Sequence, residues 1–88
     1  ATFIMRIKGD SMIDAGIVEG DMVIVERTGT MPIGHIVIAS VDGEWTIKYL
    51  RKKGDKFYLE AANPKYKPIY PENEMKVEAG VKAVVRKY

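Results

Sequence analysis

The chain has 88 residues, of which 47% are hydrophobic and 30% charged, a balance that builds a small globular core and excludes disorder. No apolar run reaches the ~18 residues of a membrane span, and no segment reads as a signal peptide. Zero cysteines exclude disulfides, a thiolate zinc site and a thiol nucleophile, and the single His35 excludes a multi-histidine metal site. The net charge of +2 conceals an asymmetry: residues 1–44 carry 3 Lys/Arg against 7 Asp/Glu, and residues 45–88 carry 11 against 5. The basic residues spread through strands and turns instead of clustering, so a solvated face is a better account of them than a nucleic-acid site.

The chain opens on Ala1 and enters a strand at once, as a piece of a longer protein would. In Thr2–Lys8, Phe3, Met5 and Ile7 alternate with Thr2, Ile4, Arg6 and Lys8, which predicts two faces. Gly9–Gly20 breaks that period and leaves room for at most one helical turn, at Ser11–Ala15. Asp21–Arg27 reads as an apolar strand after the turn pair Glu19-Gly20, and Thr28–Gly34 as a loop. His35–Val41 and Glu44–Arg51 flank Asp42-Gly43, the strongest hairpin signal in the chain. Lys53-Gly54-Asp55 turns into a strand over Lys56–Ala61. Asn63–Asn73, with Pro64, Pro68 and Pro71, reads as an irregular loop with a short strand near Ile69. Met75–Arg86 predicts one or two last strands, with Gly80 as a bulge or kink. The fold class is mainly β: about five to eight short strands in a small curled or partly closed antiparallel sheet, which limits exposed edges. Residues 1–88 form one domain on this reading.

The least ordinary stretch is Gly9–Asp21. A serine on a sharp bend after a strand is surrounded by free N–H groups suited to a developing oxyanion. Ser11-Met-Ile-Asp14 also matches a capping box, which makes Ser11 a helix N-cap instead. A nucleophilic serine needs a base. His35 is one candidate, although a lone histidine at a strand start is more often a surface residue. Lys48 is the other. Alternation puts Thr46, Lys48 and Leu50 on one strand face and Trp45, Ile47 and Tyr49 on the other. By pattern alone Lys48 is an exposed hairpin lysine. As a base its pKa has to fall from about 10.4 to near 7, roughly 4 kcal/mol. Apolar burial supplies shifts of that size, the basic residues nearby act in the same sense, and Thr46 is placed to hold the amine.

Gly9-Asp10-Ser11-Met12-Ile13-Asp14-Ala15-Gly16-Ile17, then Gly20-Asp21, then Val41–Lys48 with Thr46-Ile47-Lys48 at its end, resemble the Ser–Lys peptidase domain of the LexA/UmuD family. Asn63–Ile69 and Gly80–Val85 extend the likeness over nearly the whole chain, and the 37 positions from Ser11 to Lys48 suit the family arrangement. The resemblance implies Ser11 as nucleophile and Lys48 as general base. It implies an oxyanion hole from the backbone of Asp10 and Ser11, with Thr46 and Met12 in support and neither cofactor nor metal. It further implies a cytoplasmic homodimer paired near Val81–Arg86, and intramolecular cleavage stimulated by a RecA–single-stranded-DNA filament in the SOS response to DNA damage.

Two departures qualify the likeness. The family's scissile Ala-Gly or Cys-Gly bond lies upstream of the serine, and only ten residues precede Ser11. Ala15-Gly16 and Ala79-Gly80 lie downstream, so the target bond is expected on an upstream cleavage loop outside this sequence. The helix-turn-helix of the repressors is also outside it, so no direct DNA or membrane binding is expected of these residues. A LexA-like repressor is the first expectation. A UmuD-like mutagenesis subunit, a phage-type repressor and a non-catalytic dimerisation module are the alternatives. A signal-peptidase-like enzyme fits less well, having Pro where Asp14 stands.

Overall fold

Apolar alternation in the first residues becomes an edge strand, β1 (Thr2–Arg6), with Phe3 and Met5 turned inward and Thr2, Ile4 and Arg6 exposed. The computed structural model describes residues 1–27, 31–70 and 74–87. Parts of the two expected loops, 28–30 and 71–73 with Pro71, lie outside these residues, as does Tyr88. After β1 a short 3-10 turn (Ile13–Ala15) leads to β2 (Met22–Glu26), β3 (Ile36–Val41), β4 (Glu44–Lys53), β5 (Lys56–Glu60) and β6 (Met75–Val85). They form one open antiparallel sheet in the order β1-β2-β6-β3-β4-β5.

The β3–β4 turn behaves as its residues demand. Asp42 (φ 49°) and Gly43 (φ 89°) both take positive φ, as a two-residue type I′ turn requires, and Val41 pairs with Glu44. The short strand expected near Ile69 is a single bridge to Leu59. Met75–Val85 is one strand, not two. Its bulges fall at Glu78, opposite Ile38–Ala39, and at Lys82, opposite Ile24–Val25, so they flank Gly80 instead of occurring at it. Gly80 has a packing role: a Cβ there would run into the Met31 side chain.

Alternation divides the apolar residues between two clusters. One holds Ile7, Met12, Ile17, Val23, Val25, Ile38, Ile47 and Ala79. The other holds Val37, Ala39, Leu50 and Leu59. Neighbours in β3 and β4 therefore go to different clusters, and β4 is covered on both sides where it carries Ile47 and Lys48. A buried carboxylate ties the end of β6 to the start of β2. Arg86 makes a bidentate contact with Asp21 at 2.8 Å through each of two nitrogens and also donates to the Gly16 carbonyl. Asp21 in turn accepts from the Val18 N–H. Those donors, Arg86 first, hold the Asp21 pKa down to about 2.

Candidate active site

Ser11 lies beyond the end of β1, in a turn whose backbone closes on itself: Ala15 N–H and Ile17 N–H both reach the Met12 carbonyl. Met12 is 1% exposed and anchors this turn in the core. Its sulfur accepts the Ala62 N–H, and Asp14 N–H donates to the Ala62 carbonyl at 2.8 Å. The capping-box reading is overturned. Met12 occupies the cap position of the 3-10 turn, and no side-chain bond caps it. A three-residue turn has little need of a cap, and the Ser11 hydroxyl points to a partner 37 residues away.

That partner is Lys48. Its Nζ donates to Ser11 Oγ at 3.1 Å and to Thr46 Oγ1 at 2.6 Å. The exposed-lysine reading fails as well, since Lys48 is only 7% exposed. Alternation assumes a hairpin with one wet face, whereas this strand is packed on both. Burial lowers the Lys48 pKa from its ordinary value. Desolvation alone accounts for that shift, so the expected help from neighbouring basic residues is not found. His35 is exposed, takes part through its backbone in the Pro32 and Leu50 bonds, and does not line the cleft that holds Ser11.

The cleft, about 360 Å³, runs between the stretch Met5–Ser11 and the first half of β4, Trp45–Lys48. Trp45 and Tyr66 are half exposed at its wall. Among the described residues Glu44–Lys48 pairs with β3 on one side only, because β5 joins β4 from Tyr49 onward. A backbone edge is thus open beside the Ser11–Lys48 pair. Among the described residues neither the Asp10 nor the Ser11 N–H has a hydrogen-bond acceptor, and both residues line the cleft. The two Ala-Gly pairs are remote from attack: Ala15-Gly16 is in the turn itself, and Ala79 is fully buried in β6.

Three neighbours escaped the sequence reading. Asn63 is buried and donates from Nδ2 to the Asp10 carbonyl at 2.9 Å. Tyr66 and Lys65 both donate to the Asp10 carboxylate, which lowers its pKa, the Tyr66 bond being the larger cause. An Asn-Pro pair between strands reads only as a loop, and nothing local ties it to a residue more than fifty positions away. Among the described residues no cluster of three metal-ligating side chains occurs, and no helix is long and apolar enough to cross a membrane.

The model of the family described as Peptidase S24-like matches residues 1–84. A LexA repressor of Acidiphilium cryptum (strain JF-5) is 42% identical over 88 residues, covering 98% of this chain and 38% of the repressor. The chain thus spans about 38% of the length of that curated relative. With a family match running from the first residue through most of β6, and identity at this level along the same stretch, the chain belongs to the Peptidase S24-like family, as a domain of the LexA/UmuD type.

Proposed function

We propose that the chain is the self-processing serine peptidase domain of a LexA-like repressor, with Ser11 as nucleophile and Lys48 as general base. The observation that carries this reading is a buried amine 3.1 Å from a serine hydroxyl at the floor of an open cleft. A serine hydroxyl is a weak nucleophile until a base takes its proton. Lys48 becomes that base when it loses its own proton, which burial promotes. One N–H then remains on Thr46 Oγ1 and the lone pair faces Ser11.

The steps follow from that geometry. Lys48 Nζ removes the Ser11 proton, and Oγ attacks the scissile carbonyl carbon. The resulting oxyanion is met by the Asp10 and Ser11 N–H groups, donors that need no rearrangement at the moment of charge development. Collapse of the intermediate breaks the C–N bond as the Lys48 ammonium returns its proton to the leaving nitrogen. Water, deprotonated by Lys48, then hydrolyses the ester on Ser11. The open edge of Glu44–Lys48 offers main-chain hydrogen bonds to an extended peptide laid in the cleft.

The same reading covers the rest of the protein's behaviour. A RecA–single-stranded-DNA filament acts as co-activator by favouring the state in which an upstream cleavage loop occupies the cleft. The domain works in the cytoplasm, with no DNA contact of its own. It forms a homodimer through β6, whose Val81–Val85 half pairs with β2 on one edge and with no described strand on the other. The same free edge suits the alternatives, a UmuD-like subunit or a non-catalytic dimerisation module.

The test is labelling of the chain by a fluorophosphonate, together with cleavage in trans of a peptide carrying an Ala-Gly junction. Both reactions should rise with pH and vanish in Ser11→Ala and Lys48→Ala. Undiminished reaction in either variant refutes the assignment, and a wild-type chain that dimerises but does not react favours the non-catalytic module.

A further inference from the structure

The nucleophile turn is held from behind by the segment that follows β5. Asn63 Nδ2 donates to the Asp10 carbonyl at 2.9 Å, and the Ile13 N–H reaches the same oxygen at 3.3 Å, so both lone pairs of that carbonyl are engaged. The Asn63 amide is itself fixed, because its Oδ1 accepts the Lys65 N–H at 3.0 Å. Among the described residues no peptide bond is cis. In a trans peptide the C=O and the following N–H point in opposite directions. Clamping the Asp10 oxygen therefore aims the Ser11 N–H the other way. Asn63 does not line the cleft, whereas Asp10 and Ser11 do, and among the described residues the Ser11 N–H has no acceptor.

We infer that Asn63 is a positioning residue for peptide hydrolysis: its side-chain amide locks the Asp10–Ser11 peptide plane so that the Ser11 N–H faces the position of the developing oxyanion. This rests on the Ser11–Lys48 reading above. Oxyanion stabilisation depends on donors already aimed before charge appears. A peptide plane free to rotate loses that aim while leaving the hydroxyl and the amine in place. Among the described residues Asn63 makes no hydrogen bond to Lys48 or Thr46, so its bond acts on the donor and not on the base.

Asn63→Asp separates these roles, because it keeps the size of the side chain and the acceptor for Lys65 N–H but removes the donor. Asn63→Ala removes the donor without adding charge. Fluorophosphonate labelling and trans cleavage of an Ala-Gly peptide are followed across pH, with Trp45 near-UV circular dichroism reporting the fold. Both variants should react about ten- to a hundredfold more slowly at limiting pH, with KM nearly unchanged and the midpoint of the pH profile where wild type has it. A rate equal to wild type overturns the inference. So does a slow rate accompanied by a shifted midpoint, which marks general loosening of the site, or failure of both variants to fold, which makes Asn63 a stability residue. A wild-type chain that does not react at all removes the dyad reading first, and is told apart because no Asn63 variant is then needed.

Discussion

Replacing Thr46 by Val should move the pH profile of Ser11 reactivity towards acid while lowering its ceiling, a pair of changes that separates the two things the Thr46 hydroxyl does. Thr46 Oγ1 accepts from Lys48 Nζ at 2.6 Å. A hydrogen bond from a charged donor is worth about 1.5–3 kcal/mol and one from a neutral donor about 0.5–1.5 kcal/mol. Removing the acceptor therefore costs the ammonium about 1 kcal/mol more than the amine, which lowers the pKa further. The methyl of Val, no better at solvating charge, acts in the same direction. The amine also loses the bond that sets its direction, so the limiting rate falls, by about tenfold on the scale of lost orientation. The assay is the rate of fluorophosphonate labelling from neutral to alkaline pH, wild type against Thr46→Val. A midpoint that stays put, or rises, contradicts the claim that Thr46 supports the charged form.

Lys48→Met should abolish reactivity yet raise stability near neutral pH. Because the folded Lys48 pKa lies below the unfolded value of about 10.4, the unfolded chain binds the proton more readily. Wild-type stability then climbs as pH rises towards 10, and the advantage of the Met variant should shrink over the same range. An apolar replacement of a buried charge is worth about 1 kcal/mol or more, about 4–8 °C in Tm for a domain of this size, measurable by calorimetry. Arg86→Ala should bring acid unfolding to higher pH. The Asp21 pKa is depressed to about 2, so its contribution is present above the ordinary carboxylate range and is lost as pH falls from about 4 towards 2. Without Arg86 that window shifts upward, which a circular dichroism titration reads. Val85→Lys should weaken self-association in sedimentation experiments, since a lysine on a free strand edge opposes pairing. Val85 is 49% exposed, so the fold itself should tolerate the change.

Much of the scaffold was legible because it depends on neighbours in sequence. The alternation of Phe3, Met5 and Ile7, the Asp42-Gly43 turn and the β-rich stretch at Met22–Glu26 are local signals, and each produced the element its residues favour. Thr46 was legible for the same reason, being two residues from Lys48 on one strand face. The failures have a different origin. Ser11-x-x-Asp14 satisfies a capping pattern, but a hydroxyl offered a buried amine goes to the amine. Lys48 looked exposed because alternation carries no information on whether the second face is covered. Asp21, Arg86 and Asn63 depend on partners 65 and 53 residues away, beyond the reach of any local rule.

The pairing stagger links the proposed chemistry to the proposed assembly. β4 is ten residues long, but β5 takes only its second half, and β6 is eleven residues long, with β3 taking only its first half. Each mismatch leaves half a strand with one unpaired edge, a liability that proteins ordinarily cover. Among the described residues Met75–Ala79 is also unpaired on its β2 side, but the half-edges at Glu44–Lys48 and Val81–Val85 differ in what surrounds them. Glu44–Lys48 borders a cleft with a buried amine and two unengaged N–H groups, a setting that rewards a transient peptide strand. Val81–Val85 carries the exposed Val84 and Val85 and none of the Ser11 apparatus, a setting that rewards a lasting strand from a second copy. On this argument, covering one edge should leave the other available. A cleft-bound peptide should therefore leave the sedimentation of the dimer unchanged, and Val85→Lys should leave fluorophosphonate labelling unchanged. A peptide that dissolved the dimer would mean that both partners compete for one edge.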